Sequence, residues 1–184
     1  MKVNEEMGCT ICSHRKGNKT VDSRKVSDLF EAVQAGDLDR VKTLINGGID
    51  VNVLTSCCGH SLLIPAAGEG HLDILKLLLK RGVNVHTKSA CGMTPLIAAA
   101  FMGQLEAAKL LVARGVDVNA RNRKGYTPLI QAARNGHLDV VMFLVKNGAV
   151  INTRDEEGYT AQMWAGDTYN PHVFEYLNQY GAIG

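Results

Sequence analysis

Several cysteine and histidine residues of this chain are spaced in a way that could support metal binding or redox chemistry. Cys9 and Cys12 have a C-x₂-C spacing, which lets two thiolates bind one metal ion. Cys57, Cys58 and His60 supply further soft ligands in a second stretch of the chain. If the two stretches met, they could form a tetrahedral zinc site, and the same thiols could instead pair under oxidation.

The same cysteines also fit a simpler interpretation, in which they are unrelated reduced thiols. The chain has no second C-x₂-C pair, and two adjacent cysteines do not easily face one ion. Five cysteines is an odd number, which does not suit a closed disulfide framework. We therefore predict no metal site and no cofactor. A metal- or thiol-responsive sensor is kept as the alternative function, with candidate residues Cys9, Cys12, Cys57, Cys58 and His60.

The sequence shows no signature of an enzyme. It contains no G-x-S-x-G nucleophile motif, no phosphate-binding Gly-Lys-Ser/Thr loop and no His-Glu-x-x-His zinc motif. We predict no catalytic residues and no enzymatic activity.

Composition limits the partners of the chain. Its 184 residues are 46% hydrophobic and 21% charged, with a formal net charge of +2, which does not predict nucleic-acid binding. No apolar run approaches the roughly 18–20 residues that a membrane helix needs. The first residues contain no apolar signal-peptide core. We expect a cytoplasmic protein that binds neither membrane nor nucleic acid.

The elements that would position any site are set by an internal repeat of 33 residues. Glycines recur at this period in two series, and three copies of a turn-then-helix sequence follow the first series. A period of this size indicates one small structural unit stacked on copies of itself, which is a solenoid. The two series are Gly59, Gly92, Gly125 and Gly158, then Gly82, Gly115, Gly148 and Gly181.

Each unit combines a capped inner helix with a longer apolar outer helix. In Thr94-Pro95 and Thr127-Pro128, Thr can cap the helix and Pro suits its first turn. Alanine pairs in the inner helices allow neighbouring units to approach closely. We predict a flexible tail over residues 1–25 and a repeat domain over 26–184, with repeats at about 26–53, 57–88, 90–121, 123–154 and 156–184.

This pattern resembles the ankyrin repeat, and the stretch from Gly125 to Asn152 carries the resemblance most completely. The resemblance extends over about Val26 to Gly184. It implies an all-α solenoid with short β-hairpin fingers, in which fingers and inner helices line a concave groove. It also implies a non-enzymatic module, an adaptor, regulator or inhibitor, that binds another protein. We expect it to act as a monomer.

The sequence departs from the family pattern in two informative places. The histidine that usually follows Thr-Pro-Leu is replaced by Ile64, Ile97 and Ile130, so apolar packing should replace a polar link. The first finger has one extra residue, because Asn52 and Gly59 are seven positions apart and the later intervals are six.

The repeat frame predicts which side chains face the groove. Phe101 and Met102 precede a corner glycine and are expected to be at least partly exposed as an apolar anchor, unless Phe101 folds onto the stack. A basic strip and then acidic residues should follow, which favours a partner with an acidic segment near an apolar anchor. The predicted partner-binding residues are Met93, Phe101, Met102, Arg123, Lys124, Tyr126, Arg134, Asn135, Glu157 and Tyr159.

Overall fold

The computed structural model describes residues 21–55 and 58–181 of the chain. Ten helices form in that part, and they follow one another as five pairs. The first helix of each pair is the inner helix and the second is the outer helix. Their bounds are α1 (Val21–Ala35), α2 (Leu38–Asn46), α3 (Leu63–Gly68), α4 (Leu72–Lys80), α5 (Pro95–Phe101), α6 (Leu105–Val112), α7 (Pro128–Arg134), α8 (Leu138–Lys146), α9 (Ala161–Asp167) and α10 (Pro171–Gln179).

The pairs stack in chain order, and this produces two layers. Each inner helix contacts the next inner helix, and each outer helix contacts the next outer helix. The alanines of the inner helices, such as Ala99, Ala100 and Ala132, are fully buried, so the backbones can approach closely. Larger apolar residues of the outer helices, such as Leu78 and Leu111, fill the seams between units. The predicted helical solenoid is confirmed.

Helix α1 begins at Val21, whereas the repeat domain was expected to begin at residue 26. Helix α1 already includes residues 21–25, which were assigned to the tail. Arg24 and Lys25 are exposed, whereas Leu29 and Val33 are fully buried. The apolar period from Val26 onward therefore marks where α1 starts to pack, and the helix itself extends one turn further into polar sequence.

Threonine caps fix the start of three inner helices. The hydroxyl oxygens of Thr94, Thr127 and Thr160 each accept a hydrogen bond at 3.2 Å from the backbone N–H three residues later. Such a cap contributes about 1 kcal/mol to the stability of a helix. Ser61 occupies the same place before α3, but its hydroxyl has no hydrogen-bond partner among the residues that the structure describes, and the helix begins with Leu63.

The connections between repeats are turns, and the expected short β-hairpins are not confirmed. In the described residues no strand forms, although Leu54 and Ser61 make one isolated antiparallel bridge. We call the turns that begin at Thr55, Ser89, Asn122 and Asp155 the fingertips; they end at His60, Met93, Tyr126 and Tyr159, and the first is described at residues 55 and 58–60. Each is closed by one backbone hydrogen bond between its first and last residues, at 3.0–3.1 Å. One such bond is too few to make a hairpin strand.

The first fingertip contains the extra residue that the glycine spacing indicated. Its closing bond joins the Thr55 N–H to the His60 carbonyl, five positions apart. In the second fingertip the Ser89 N–H bonds the Met93 carbonyl, four positions apart. The longer turn therefore interrupts the otherwise regular series.

Corner residues between the inner and outer helices tie three of the repeats to the one before. The Nε2 atoms of His71 and His137 lie 3.0 Å from the carbonyl oxygens of Gln34 and Phe101. Asn170 replaces histidine in the last corner and donates from Nδ2 to the carbonyl of Arg134 at 3.1 Å. These side chains are therefore part of the stack. No helix in the described part of the chain is long and apolar enough to cross a membrane.

Candidate functional site

The predicted partner-binding residues differ widely in exposure. All of them lie on the fingertips or at the ends of α5 and α7, where the repeat frame placed them. Arg123, Lys124, Asn135 and Glu157 are exposed, Met102, Arg134 and Tyr159 are half-buried, and Met93, Phe101 and Tyr126 are buried.

The expectation that Phe101 is partly exposed is wrong. Its side chain is 8% exposed and belongs to a second apolar cluster that contains Ile64, Ile97 and Met93. Isoleucine stands where the family usually has histidine, so the interior near these fingertips is apolar enough to accept a phenyl ring. Burying such a ring stabilises the fold by about 1.5–3 kcal/mol. Half-buried Met102 packs against this cluster and is the part of the apolar pair that reaches the surface.

A side-chain oxygen at the first residue of each fingertip holds the rest of the turn. Asn122 Oδ1 accepts hydrogen bonds from the N–H groups of Lys124 and Tyr126, at 2.9 and 3.0 Å. Asp155 Oδ1 accepts from the N–H groups of Glu157 and Tyr159, both at 2.9 Å. These side-chain caps, which are typical of Asx turns, leave the backbone of the fingertip residues little freedom.

Neighbouring fingertips are also bonded to one another. The N–H groups of Ala90, Arg123 and Glu156 donate to carbonyl oxygens on the preceding fingertip, at 2.7, 3.0 and 3.0 Å. The fingertips are therefore a continuous, hydrogen-bonded row, and its exposed side chains are displayed in a fixed order.

Charge changes sign along this row. Arg123 and Lys124 are exposed and make no ion pair within the described residues. On the next fingertip, Glu156 pairs with Arg121 at 3.7 Å, and Glu157 is exposed beside it. The basic and acidic segments that the sequence predicted are therefore adjacent.

Aromatic side chains cluster beside the acidic fingertip. Two residues of this cluster, Trp164 and Asp155, are not among the predicted partner-binding residues. The rings of Tyr159 and Trp164 are 4.9 Å apart, and those of Tyr126 and Trp164 are 6.1 Å apart at 80°. The guanidinium carbon of Arg134 lies 4.5 Å from the centre of the Trp164 ring and 5.7 Å from that of Tyr126. A cation over an aromatic face contributes about 0.5–2 kcal/mol. We call these four residues with Asp155 the Arg134 cluster.

Asp155 orients the tryptophan in this cluster. Its Oδ2 atom accepts a hydrogen bond of 2.6 Å from Trp164 Nε1, and the carboxylate is 6% exposed. The repeat frame does not point to Asp155 or Trp164, because it points only to residues that follow the Ala-Ala pair and to residues that flank the fingertip glycine. The signal was present: Trp164 is the sole tryptophan and lies 33 residues after Gln131 on the preceding inner helix.

The phenol of Tyr126 lies among charges of both signs. Burial raises the pKa of Tyr126 above 10.0, and the carboxylates of Glu157 and Asp155 raise it further. Arg134 acts in the opposite direction and lowers this pKa, as a nearby cation does for any acid.

The described residues contain no group of three or more His, Cys, Asp or Glu side chains that could hold a metal ion. Cys58 is buried and disulfide-bonded, and a sulfur in a disulfide is not a thiolate ligand. His60 is half-buried in the first fingertip. The other candidates, Cys9, Cys12 and Cys57, lie outside the described residues.

Comparison with known proteins identifies the family. Two family models match, one for ankyrin repeats in three copies over residues 29–122 and one for ankyrin repeats in many copies over residues 110–161. The chain therefore belongs to the ankyrin repeat family, whose repeats generally mediate protein–protein interactions and are typically non-enzymatic.

Among curated proteins, the chain is similar to the 2-5A-dependent ribonuclease of Mus musculus. The two are 39% identical over 62 residues, which is 34% of this chain and 8% of that protein. This match is therefore evidence about the repeats and not about the activity of the ribonuclease.

Proposed function

We propose that this ankyrin repeat stack is a non-enzymatic module that binds another protein through its fingertips and inner helices, as an adaptor, regulator or inhibitor. The observation that carries the proposal is the hydrogen-bonded row of fingertips, which displays exposed charged side chains in a fixed order. A preorganised surface binds with a smaller loss of conformational entropy than a mobile one. A monomeric state and a cytoplasmic location are part of this proposal.

The charges of the surface favour a partner with an acidic segment. Arg123 and Lys124 are exposed and have no counter-ion among the described residues, so a partner can approach them without breaking an existing ion pair. Met102 is half-buried at the end of α5, on the preceding repeat, and offers apolar contact there. Complementary charge increases the rate of association and fixes the orientation of the partner.

Affinity capture with a charge-reversed fingertip tests the proposal. We expect the Arg123→Glu, Lys124→Glu double variant to lose a protein that the wild-type chain captures from cell extract, as identified by mass spectrometry. The backbone N–H of Arg123 still bonds the preceding fingertip in this variant, so circular dichroism should show an unchanged stack.

A matched control reverses the same number of charges on the outer helices. Lys76 and Lys146 are exposed on α4 and α8, and neither makes an ion pair with another described residue. The Lys76→Glu, Lys146→Glu variant should capture the partner as well as wild type does. Loss of capture by this control, with capture kept by the fingertip variant, would place the interface on the outer helices and refute the proposal.

A further inference from the structure

We infer that Arg134 is a receptor for a carboxylate of the partner, an Asp or Glu side chain of an acidic segment that lies along the groove. The inference rests on the proposed function, and it names the group that binds and the residue that recognises it.

The guanidinium of Arg134 is held in place but has no acceptor. It lies over Trp164 and Tyr126, and within the described residues it makes no hydrogen bond and no ion pair within 4.0 Å. Arg134 is half-buried, so part of the residue remains exposed to solvent. A planar cation stacked on aromatic rings loses little freedom when it binds, and its N–H groups match both oxygens of a carboxylate.

The carboxylate of Asp155, which belongs to the Arg134 cluster, already has three hydrogen-bond donors. Asp155 accepts hydrogen bonds from Trp164 Nε1 and from the N–H groups of Glu157 and Tyr159. These donors hold the carboxylate at the indole N–H, and it makes no ion pair with Arg134 within 4.0 Å. Asp155 therefore positions the Trp164 ring over which the Arg134 guanidinium lies, and the guanidinium is left available to bind another carboxylate.

A buried amide on the same helix provides an independent observation that points to a missing ligand. Gln131 is 0% exposed, and neither its Oε1 nor its Nε2 atom has a hydrogen-bond partner in the part of the chain that the structure describes. It precedes Arg134 by three residues in α7, so the two side chains emerge on the same side of the helix. Buried polar groups are normally paired, and an amide and a cation that emerge on the same side of a helix and lack partners among the described residues are the pattern of a site that awaits a polar ligand.

The surroundings favour a carboxylate over a phosphate group. Two carboxylates of the protein, Asp155 and Glu157, lie close enough to Tyr126 to raise its pKa. A doubly charged phosphate would be repelled more strongly by these groups than a singly charged carboxylate would. The planar guanidinium can also bind both carboxylate oxygens at once.

The sole tryptophan gives a direct assay, because Trp164 contacts Arg134 and no other residue contributes tryptophan fluorescence. The full chain is titrated with acetyl-hexaglutamate amide, with acetyl-hexaglutamine amide as the uncharged control, and with inorganic phosphate. We expect hexaglutamate to change the emission saturably, hexaglutamine to have no effect, and phosphate to bind more weakly than hexaglutamate.

Three variants separate the guanidinium from general charge. Arg134→Gln should weaken hexaglutamate binding on the order of tenfold, since a hydrogen bond to a charged group is lost. Arg134→Lys keeps the charge but loses the planar fork, and should recover only part of the affinity. Arg134→Met keeps much of the apolar stem and the ring contact, so it separates loss of binding from loss of packing if Arg134→Gln fails to fold.

Several outcomes would overturn the inference. These are an absent response in wild type, equal affinity in the wild-type and Arg134→Gln chains, full recovery in Arg134→Lys, or phosphate binding at least as tightly as hexaglutamate. If Arg134 proves irrelevant while the fingertip charge reversal still abolishes capture of the partner, the proposed function stands and the carboxylate receptor does not. If hexaglutamate binding depends on Arg134 while fingertip reversal leaves capture intact, the carboxylate site at Arg134 stands and the proposed role of the fingertip charges in binding the partner does not.

Discussion

Alanine substitutions at two glycines of one repeat separate the energetic cost of disturbing the contact between fingertips from the cost of an unfavourable backbone conformation. Gly92 has φ +77° and Gly115 has φ +75°, so an alanine at either position enters the same left-handed region. A Cβ atom on Gly92 would lie 2.8 Å from Asn122 Cα and 3.0 Å from Arg123 N, both backbone atoms of the next fingertip. A Cβ atom on Gly115 would have nothing within 4 Å.

The expected losses of stability follow from these distances. The left-handed conformation costs a non-glycine residue about 1–2 kcal/mol, and the smaller entropy of the unfolded alanine chain offsets about 0.4–1 kcal/mol. Gly115→Ala should therefore lower the free energy of unfolding by about 1 kcal/mol. Gly92→Ala carries the same cost plus an overpacking cost of about 1–3 kcal/mol, because the backbone atoms it meets must move.

Urea denaturation of the two variants and wild type, followed by far-ultraviolet circular dichroism, gives the difference directly. Gly92→Ala should be less stable than Gly115→Ala by at least about 1 kcal/mol. Equal midpoints in the two variants would mean that the fingertips can separate at no cost. The idea that they form a fixed row would then be refuted.

Three other substitutions test the last two repeats. Tyr169 has φ +56° and is 90% exposed where the other corners have glycine, so Tyr169→Gly should raise the free energy of unfolding by about 0.5–1 kcal/mol in urea denaturation; a lower value would show that the ring makes a stabilising contact. Asp155→Asn should keep the hydrogen bonds within the turn, because Asn122 makes the same bonds in its own fingertip. The new amide would present an N–H group to Trp164 Nε1, which should lower the free energy of unfolding by about 1–3 kcal/mol and change the tryptophan emission. Unchanged emission would contradict this. The pKa of Tyr126 is raised in the folded state, so the stability that this phenol contributes is complete below pH 10.0 and is lost as the pH rises above it. Tyr126→Phe should therefore reduce the loss of stability at alkaline pH, as measured in a pH series of denaturation curves. An unchanged loss would contradict this.

The repeat architecture was predictable because each element has a local cause in the sequence. The glycine period, the Thr-Pro starts and the alanine pairs each fix a turn, a helix start or a close approach, and the structure contains the caps and buried alanines that they indicate. The start of α1 was less predictable, since residues 21–25 carry no apolar period.

The positions of the candidate residues within the repeats were predictable, but their exposure was not. Repeat register places Phe101 at the end of α5, yet its burial depends on Ile64, which lies on the preceding repeat, as well as on Ile97 of its own helix. The partnership of Asp155 and Trp164 likewise joins a fingertip to an inner helix through one side-chain hydrogen bond. Such contacts depend on packing between elements, which the repeat pattern alone does not describe.

The bonds between fingertips have a consequence for local opening of the chain. The amide hydrogens of Ala90, Arg123 and Glu156 lie in surface turns, where rapid exchange with solvent deuterium would be the ordinary behaviour. Because each is donated to a carbonyl of the preceding fingertip, its exchange requires two adjacent repeats to separate. Hydrogen exchange at these three positions would therefore report the free energy of each repeat-to-repeat junction, and a ligand bound across two fingertips would slow exchange at the junction it spans.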